Sequence, residues 1–317
     1  MDFDRSLEIP KGTFKLIVLD IDGTLITSDR MLTNRTVKAI QAVKKAGIQV
    51  TFATGRQHCS ATYLARKIGI NAPLISSDGS MIKDIYTGET ELFPLSIDKA
   101  KDIVEIAGNY KSFRVEVFFE DTKFHAGKSY RKLLLRRYLS PPLRYSLLGT
   151  YYYIRDFVFI PVIDKGDIET TIKDIKVPPA KVVVYGQPDK LKDFRHDLER
   201  KYGKCISMTT ALTNCVDVLN EGVSKAKGIA HLAENLGIKR EEIITVGDNF
   251  NDIEMLQYAG LGVAMGNAAN EVKEKADYVT ASNEDDGLAC FLEKLISLNA
   301  DVENRCVAKS KLCESKA

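Results

Sequence analysis

Asp20 and Asp22 stand one residue apart in DIDGT, directly behind the strand-forming run LIVL. Two carboxylates this close repel each other, so the doublet points to a cation expected between them. Alternate residues of an extended segment face opposite sides. Asp20, at the strand tip, therefore suits a divalent ion through one carboxylate oxygen and attack on phosphorus through the other. Asp22 can offer its backbone carbonyl to the ion and keep its side chain free for proton transfer. Mg²⁺ tolerates so sparse a protein set because it keeps waters and takes oxygens from a substrate phosphate. Taken alone, the doublet also suits an Asx turn after a strand.

Three further segments add matching chemistry. In ATGR, Thr54 and Gly55 supply a hydroxyl and an unhindered backbone N–H, both donors for phosphoryl oxygens, although Thr-Gly also caps a strand-to-helix turn. In GVSKAKG, Lys225 falls in the first turn of a helix, where a cation opposes the local dipole; a lysine aimed at phosphate explains the placement, with Lys227 as its rival. In GDNFND, Asp248, Asn251 and Asp252 crowd three polar groups around a helix start that needs one N-cap. Asp248 is the expected further metal ligand, and Asp252 a partner for Lys225 or for the loop.

These segments converge only if the chain forms an open α/β sheet, whose loops beyond the carboxyl ends of the strands share one crevice. From Phe14 to about Ser80 the pattern supports this. FKLIVLD and IQVTFAT read as buried strands and APLISSDGS as a third. A helix capped by Thr33 and patterned on Val37, Ile40 and Val43 lies between the first two, and QHCSATYLARKIG follows the second. From about Met81 to Val218 the strands FRVEVFFE, KFHAG, YYYIRDFVFIPVI and KVVVYG lack the regular βα rhythm, as in an α+β unit with a largely antiparallel sheet. The rhythm returns with SKAKGIAHLAENLG, EIITVGD, NDIEMLQYAG, LGVAMG, NEVKEKA and DYVTA. The fold expected is α/β: a Rossmann-like parallel-sheet core from 12–82 and 219–298, an inserted α+β cap over 83–218, and a polar C-terminal tail at 299–317. Hinges are expected near Ser80 to Lys83 and Leu219 to Gly222.

Composition narrows the function. With 45 basic and 43 acidic residues the net charge is +2, which gives no footing for nucleic acid or an anionic membrane. The longest apolar run, FVFIPVI at 157–163, falls far short of the roughly 20 residues that span a bilayer. Six cysteines with no CxxC pair fit free thiols in a reducing compartment, and MDFDRSLEIPKG has no signal-peptide architecture, so a cytoplasmic protein is expected. The four histidines form no triad pattern, and Asp285 and Asp286 are expected to cap the final helix.

With these four motifs in this order, the sequence resembles the haloacid dehalogenase superfamily, in its Cof-like branch with a large α+β cap. NEGVSK, EIITVGDNFNDIEML and VAMGNA strengthen the likeness. The resemblance implies a Mg²⁺-dependent phosphatase acting on a small phosphorylated metabolite, such as a sugar phosphate, through an aspartyl-phosphate. Asp20 would be the nucleophile and Asp22 the general acid and base. Thr54 and Lys225 would hold the phosphoryl group, Asp248 the metal, and Asn251 the phosphate or the metal site. The branch commonly carries Asn-Gly after the third strand, where this chain has Asp78-Gly79; the Asp78 side chain is expected to face a substrate cation or hydroxyl. A hexose phosphomutase of the same fold and a phospho-accepting signalling module are the alternatives.

Overall fold

The computed structural model describes residues 14–127, 161–210 and 213–298. Strand β1 (Leu16–Leu19) is aliphatic and buried on both faces, the composition of an interior parallel strand. Helix α1 (Asn34–Lys45) starts at Thr33, whose Oγ1 accepts from the Thr36 N–H; its buried face is Thr36, Ala39, Ile40 and Val43, so Val37 lies at the margin. Strand β2 (Gln49–Phe52) and helix α2 (His58–Ile68) follow, then β3 (Leu74–Ser76), β4 (Met81–Lys83) and β5 (Thr90–Leu92). Next come α3 (Ile97–Gly108), β6 (Arg114–Phe118), β7 (Lys123–Ala126), β8 (Val162–Gly166), α4 (Ile168–Asp174), β9 (Lys181–Tyr185), α5 (Pro188–Tyr202), β10 (Ile206–Thr209) and β11 (Cys215–Asn220). The chain returns through α6 (Lys225–Leu236), β12 (Ile243–Gly247), α7 (Ile253–Tyr258), β13 (Leu261–Ala264), α8 (Asn270–Lys273), β14 (Tyr278–Val279) and α9 (287–298).

The parallel sheet has the order β14-β13-β12-β1-β2. From β1 the chain runs to one side through β2 and later fills the other side with β12, β13 and β14. The tip of β1 is thus a switch point of the kind where open α/β sheets bind ligands. The third expected strand departs from this sheet. It touches the parallel sheet through the single bridge Ala53–Ile75, then pairs antiparallel with β4, which pairs with β5. The cause is local: Ser77 (φ 50°), Asp78 (φ 56°) and Gly79 (φ 98°) reverse the chain after three strand residues. The expected division at 82/83 falls within β4.

A second sheet, β10-β11-β9-β6-β7-β8, is antiparallel except for the β7/β8 pair. Of the expected strand YYYIRDFVFIPVI, residues 151–160 lie outside the described residues; Val162 and Ile163 open β8. Strand alternation gives this sheet two unlike faces. Val115, Val117, Val182, Val184, Val216 and Val218 pack with Phe194 and Leu198 of α5 and Ile103 of α3 into one core. The opposite face carries cross-strand rows set by register: Lys123–Phe118–Lys181, His125–Glu116–Val183–Asp217 and Arg114–Tyr185–Cys215. Among the described residues no helix is long and apolar enough to cross a membrane.

Candidate active site

Asp20 follows β1, and its backbone N–H still donates to the Val246 carbonyl of β12 at 2.9 Å, which fixes the strand tip. The turn needs Gly23: at φ +88° it lies against Asp248, and a Cβ there would sit 2.3 Å from Asp248 Oδ2. Thr24 closes the same contact by donating its hydroxyl to Asp248 Oδ1 at 2.8 Å. The DIDGT loop and the GDNFND loop, more than 220 residues apart in sequence, therefore meet through Gly23 and Thr24.

Asp20, Asp248 and Asp252 each bring a carboxylate oxygen to within 4.8 Å of the others. Lys225, the first residue of α6 behind the N-cap Ser224, is buried and bridges two of them, donating to Asp20 Oδ1 at 2.6 Å and Asp252 Oδ1 at 2.7 Å. The rival Lys227 is exposed. Asp252 is saturated, because its Oδ2 also accepts the Asp248 and Asn249 N–H groups, each at 2.9 Å. It anchors Lys225 and the loop, which leaves Asp20 and Asp248 as the carboxylates with room for a metal. Burial raises the Asp20 carboxyl well above its ordinary value; Lys225 opposes the rise, and Asp252 and Asp248 add to it. Burial and the Asp252 charge push Asp248 up to about 7. Three carboxylates against one ammonium leave an excess of negative charge that a divalent cation would neutralise, so this donor set fits Mg²⁺.

The Asp22 side chain is not free, contrary to the sequence expectation. Arg56 grips it as a fork, Nε to Oδ2 and Nη2 to Oδ1, both at 2.6 Å, with Arg30 Nη1 4.0 Å from Oδ1. The crevice walls raise its carboxyl, but the guanidinium outweighs them and holds it at about 2. Thr54 is buried, its hydroxyl accepting from the Arg56 N–H at 3.1 Å and its carbonyl from the Asp78 N–H at 3.0 Å. The ATGR loop thus leans on the turn after β3.

Asp78 lines the cavity with both carboxylate oxygens engaged by protein groups. Its Oδ2 accepts from Lys181 of β9 at 2.7 Å and its Oδ1 from Asn251 Nδ2 at 3.0 Å. Asn251 thereby joins Asp78. Lys181 uses its other protons on Asp217 Oδ1 at 2.6 Å and the Gly55 carbonyl at 3.0 Å. Burial raises Asp78, but Lys181, Lys225 and Asn251 outweigh it and hold the carboxyl below its ordinary value. Asp217 is raised by burial and by the Asp78 charge, which Lys181 does not fully offset. Gly79 (φ +98°) belongs to the same junction, since a Cβ there would lie 2.2 Å from the Ser224 carbonyl.

A cavity of about 330 Å³ opens between the two sheets. Asp20, Asp22, Thr54, Gly55, Lys225 and Asn251 line one end; Phe118, Val183, Tyr185 and Lys181 of the second sheet line the other. Sequence reasoning had assigned no role to Arg56, Gln57, Lys181 or Asn267, whose Nδ2 donates to the Gly23 carbonyl at 2.9 Å. Arg56 stood inside ATGR and Asn267 inside VAMGNA, while Gln57 and Lys181 lay outside the motif segments. The expected caps also differ: Asp286 accepts the Cys290 N–H through its backbone at the start of α9, but its carboxylate takes the Thr33 hydroxyl at 2.6 Å.

A switch-point crevice that gathers strand-tip carboxylates, a buried lysine and a helix-start loop beneath a second sheet is the arrangement of an α/β protein that acts on phosphate groups. A family model for haloacid dehalogenase-like hydrolases matches residues 17–292. The 5-amino-6-(5-phospho-D-ribitylamino)uracil phosphatase YitU of Bacillus subtilis is 27% identical over 89% of this chain and 98% of its own length. The pyridoxal phosphate phosphatase YbhA of Escherichia coli is 26% identical over 88% of this chain and 98% of its own. The solved structure of a haloacid dehalogenase-like hydrolase from B. subtilis superposes with a TM-score of 0.76 at 26% identity, covering 88% of this chain and 99% of that one. The chain belongs to the haloacid dehalogenase-like hydrolase family and is a phosphatase within it, a hydrolase acting on phosphoric monoesters.

Proposed function

We propose that this phosphatase hydrolyses a small phosphorylated metabolite in two steps through a phosphorylated Asp20. The carrying observation is that Asp20 and Asp248, from loops on neighbouring strands, share one buried acidic cluster with Lys225 across from it. Asp20, Asp248 and the Asp22 backbone carbonyl would hold Mg²⁺. When bound, the ion would neutralise the acidic cluster and the equatorial oxygens of the phosphoryl group.

The phosphoryl group binds beside Thr54, Gly55 and Lys225. An Asp20 carboxylate oxygen forms the bond to phosphorus while the ester P–O bond breaks, and Asp22 delivers a proton to the departing alcohol oxygen. Water then attacks the phosphorus, Asp22 takes its proton, and Asp20 is released with inorganic phosphate. For Asp22 to act as the acid, its fork to Arg56 must open. An incoming phosphate dianion favours this twice, by offering Arg56 a second anion and by raising the Asp22 carboxyl through like-charge repulsion.

The cavity's modest volume of about 330 Å³ supports a small ester over a protein phosphoryl donor, and the activities named for the relatives YitU and YbhA favour a phosphorylated metabolite with a ring or polyol alcohol. We further assign residues 12–82 and 219–298 to the core and 83–218 to the cap. We also propose a cytoplasmic setting, on the six scattered cysteines that form no CxxC pair. The test is phosphate release from a panel of phosphomonoesters with magnesium present. Turnover should vanish with EDTA, return with added Mg²⁺, and be lost in Asp20→Asn. Turnover that survives in Asp20→Asn overturns the mechanism.

A further inference from the structure

Gln57 immediately follows the ATGR motif and is the residue from which α2 starts. It is 2% exposed and lines the 330 Å³ cavity. Its Nε2 donates to the Phe119 carbonyl, beyond the end of β6, at 3.2 Å. Its Oε1 is buried and has no partner among the described residues. The amide orientation follows from its surroundings, because a flipped group would set two carbonyl oxygens against each other at Phe119. A buried acceptor left without a donor is costly, and such groups persist where a ligand completes them.

The wall contributed by the second sheet narrows the ligand. Phe118, Val183, Tyr185 and Cys215 form one contiguous apolar patch. The lysines flanking Phe118 in its row are already matched, Lys123 by Glu116 at 2.6 Å and Lys181 by Asp78 and Asp217. This end of the cavity therefore offers an apolar, partly aromatic surface, lysines that are already matched, the excess carboxylate of the Lys181 triad and, at Gln57, a buried acceptor without a partner among the described residues.

Building on the phosphatase reading, we propose that Gln57 Oε1 selects the leaving alcohol. The substrate is a small phosphomonoester whose uncharged alcohol lays a flat or apolar face on the Phe118–Tyr185 patch and gives a hydroxyl or N–H to Gln57. A site built to accept one hydrogen bond rejects an otherwise identical ligand that lacks the donor, because the acceptor then stays buried and unpaired.

The experiment measures kcat/KM for esters matched except for one hydroxyl: ribose 5-phosphate against 2-deoxyribose 5-phosphate, and pyridoxine 5-phosphate against its 3-deoxy analogue. Wild type, Gln57→Leu and Gln57→Met are compared in the presence of Mg²⁺. At least one pair should be separated by about tenfold to a hundredfold in the wild type, and the ratio should collapse toward one in both variants. Either variant suffices if the other fails to fold. Equal treatment of both pairs by the wild type, or a ratio preserved in a folded variant, overturns the proposal. Absence of turnover on every ester, p-nitrophenyl phosphate included, sinks the phosphatase reading beneath it.

Discussion

Replacing Lys181 by Met should cost far more stability than replacing Asp78 by Asn. The Lys181 ammonium donates to Asp217, Asp78 and the Gly55 carbonyl at 2.6, 2.7 and 3.0 Å, and the three charged side chains are at most 5% exposed. With two anions and one cation in the triad, Lys181→Met leaves two buried carboxylates with nothing between them. Removing one partner of a buried pair costs about 3–5 kcal/mol, and the second carboxylate puts this case at the upper end. Asp78→Asn leaves Lys181 and Asp217 matched one to one, and Asn tolerates the left-handed backbone at φ 56°. Its cost should be about 1 kcal/mol. In Lys181→Met/Asp78→Asn/Asp217→Asn no charge remains, and stability should return to within about 2 kcal/mol of the parent. The chain has no tryptophan, so urea unfolding is best followed by far-UV circular dichroism. If Asp78→Asn proves as damaging as Lys181→Met, or the triple variant is no better than Lys181→Met alone, the charge-count reasoning is wrong.

Asp22→Asn should slow hydrolysis of an alkyl phosphate by about 10²–10⁴ in kcat, but that of p-nitrophenyl phosphate by much less, since its leaving group departs without a proton. Steady-state kinetics on the two esters decides, and equal losses would deny Asp22 the acid role. Glu116 is raised by burial, but the Lys123 charge, hydrogen bonds from His125 and Lys123, and the Arg114 charge outweigh this and hold it at about 2, below its ordinary 4.5. Its stabilisation is therefore complete above about pH 4.5 and fades as pH falls toward 2; the shift corresponds to about 3 kcal/mol. Urea midpoints should show Glu116→Gln weaker than wild type by up to that amount at pH 7, with the gap narrowing at pH 3; a constant gap would refute the linkage.

The crevice was legible in sequence because its parts have local causes. Gly23 must adopt positive φ, Lys225 occupies a helix start, β1 is an unbroken aliphatic run, and β2 and β12 are short, largely buried strands rich in β-branched residues. What escaped had non-local causes. LIS at 74–76 reads as another parallel strand, yet the reversal at Ser77 to Gly79 turns it into a hairpin. Arg56 meets Asp22 across 34 residues, a contact no spacing rule anticipates. β10 and β11 went unrecognised because CVDVLN sets Asp217 inside a β-branched run, and a charge there reads as a solvent-facing break. The usable signal was its recurrence: VEV, KVVVY and VDV each place lone charges on one face of a strand whose other face is valine. Charges repeated that way mark a buried polar surface looking at something other than water.

That surface ties specificity to catalysis. The face that lays Phe118 and Tyr185 over the leaving-group end also sends Lys181 to Gly55, the residue after Thr54. Separating the two sheets would break the Lys181 bonds to Asp78 and Gly55 together, leaving a buried carboxylate and a carbonyl to be satisfied by water. The ATGR loop is therefore fully braced only when the second sheet is in place, the wall that would surround the alcohol in the proposed reaction. A poorly fitting alcohol that holds the sheets apart loosens Gly55, and with it the donor set for the phosphoryl group. Discrimination by the cap should accordingly be felt in kcat as well as in KM, because binding energy at the alcohol is coupled to the geometry at phosphorus.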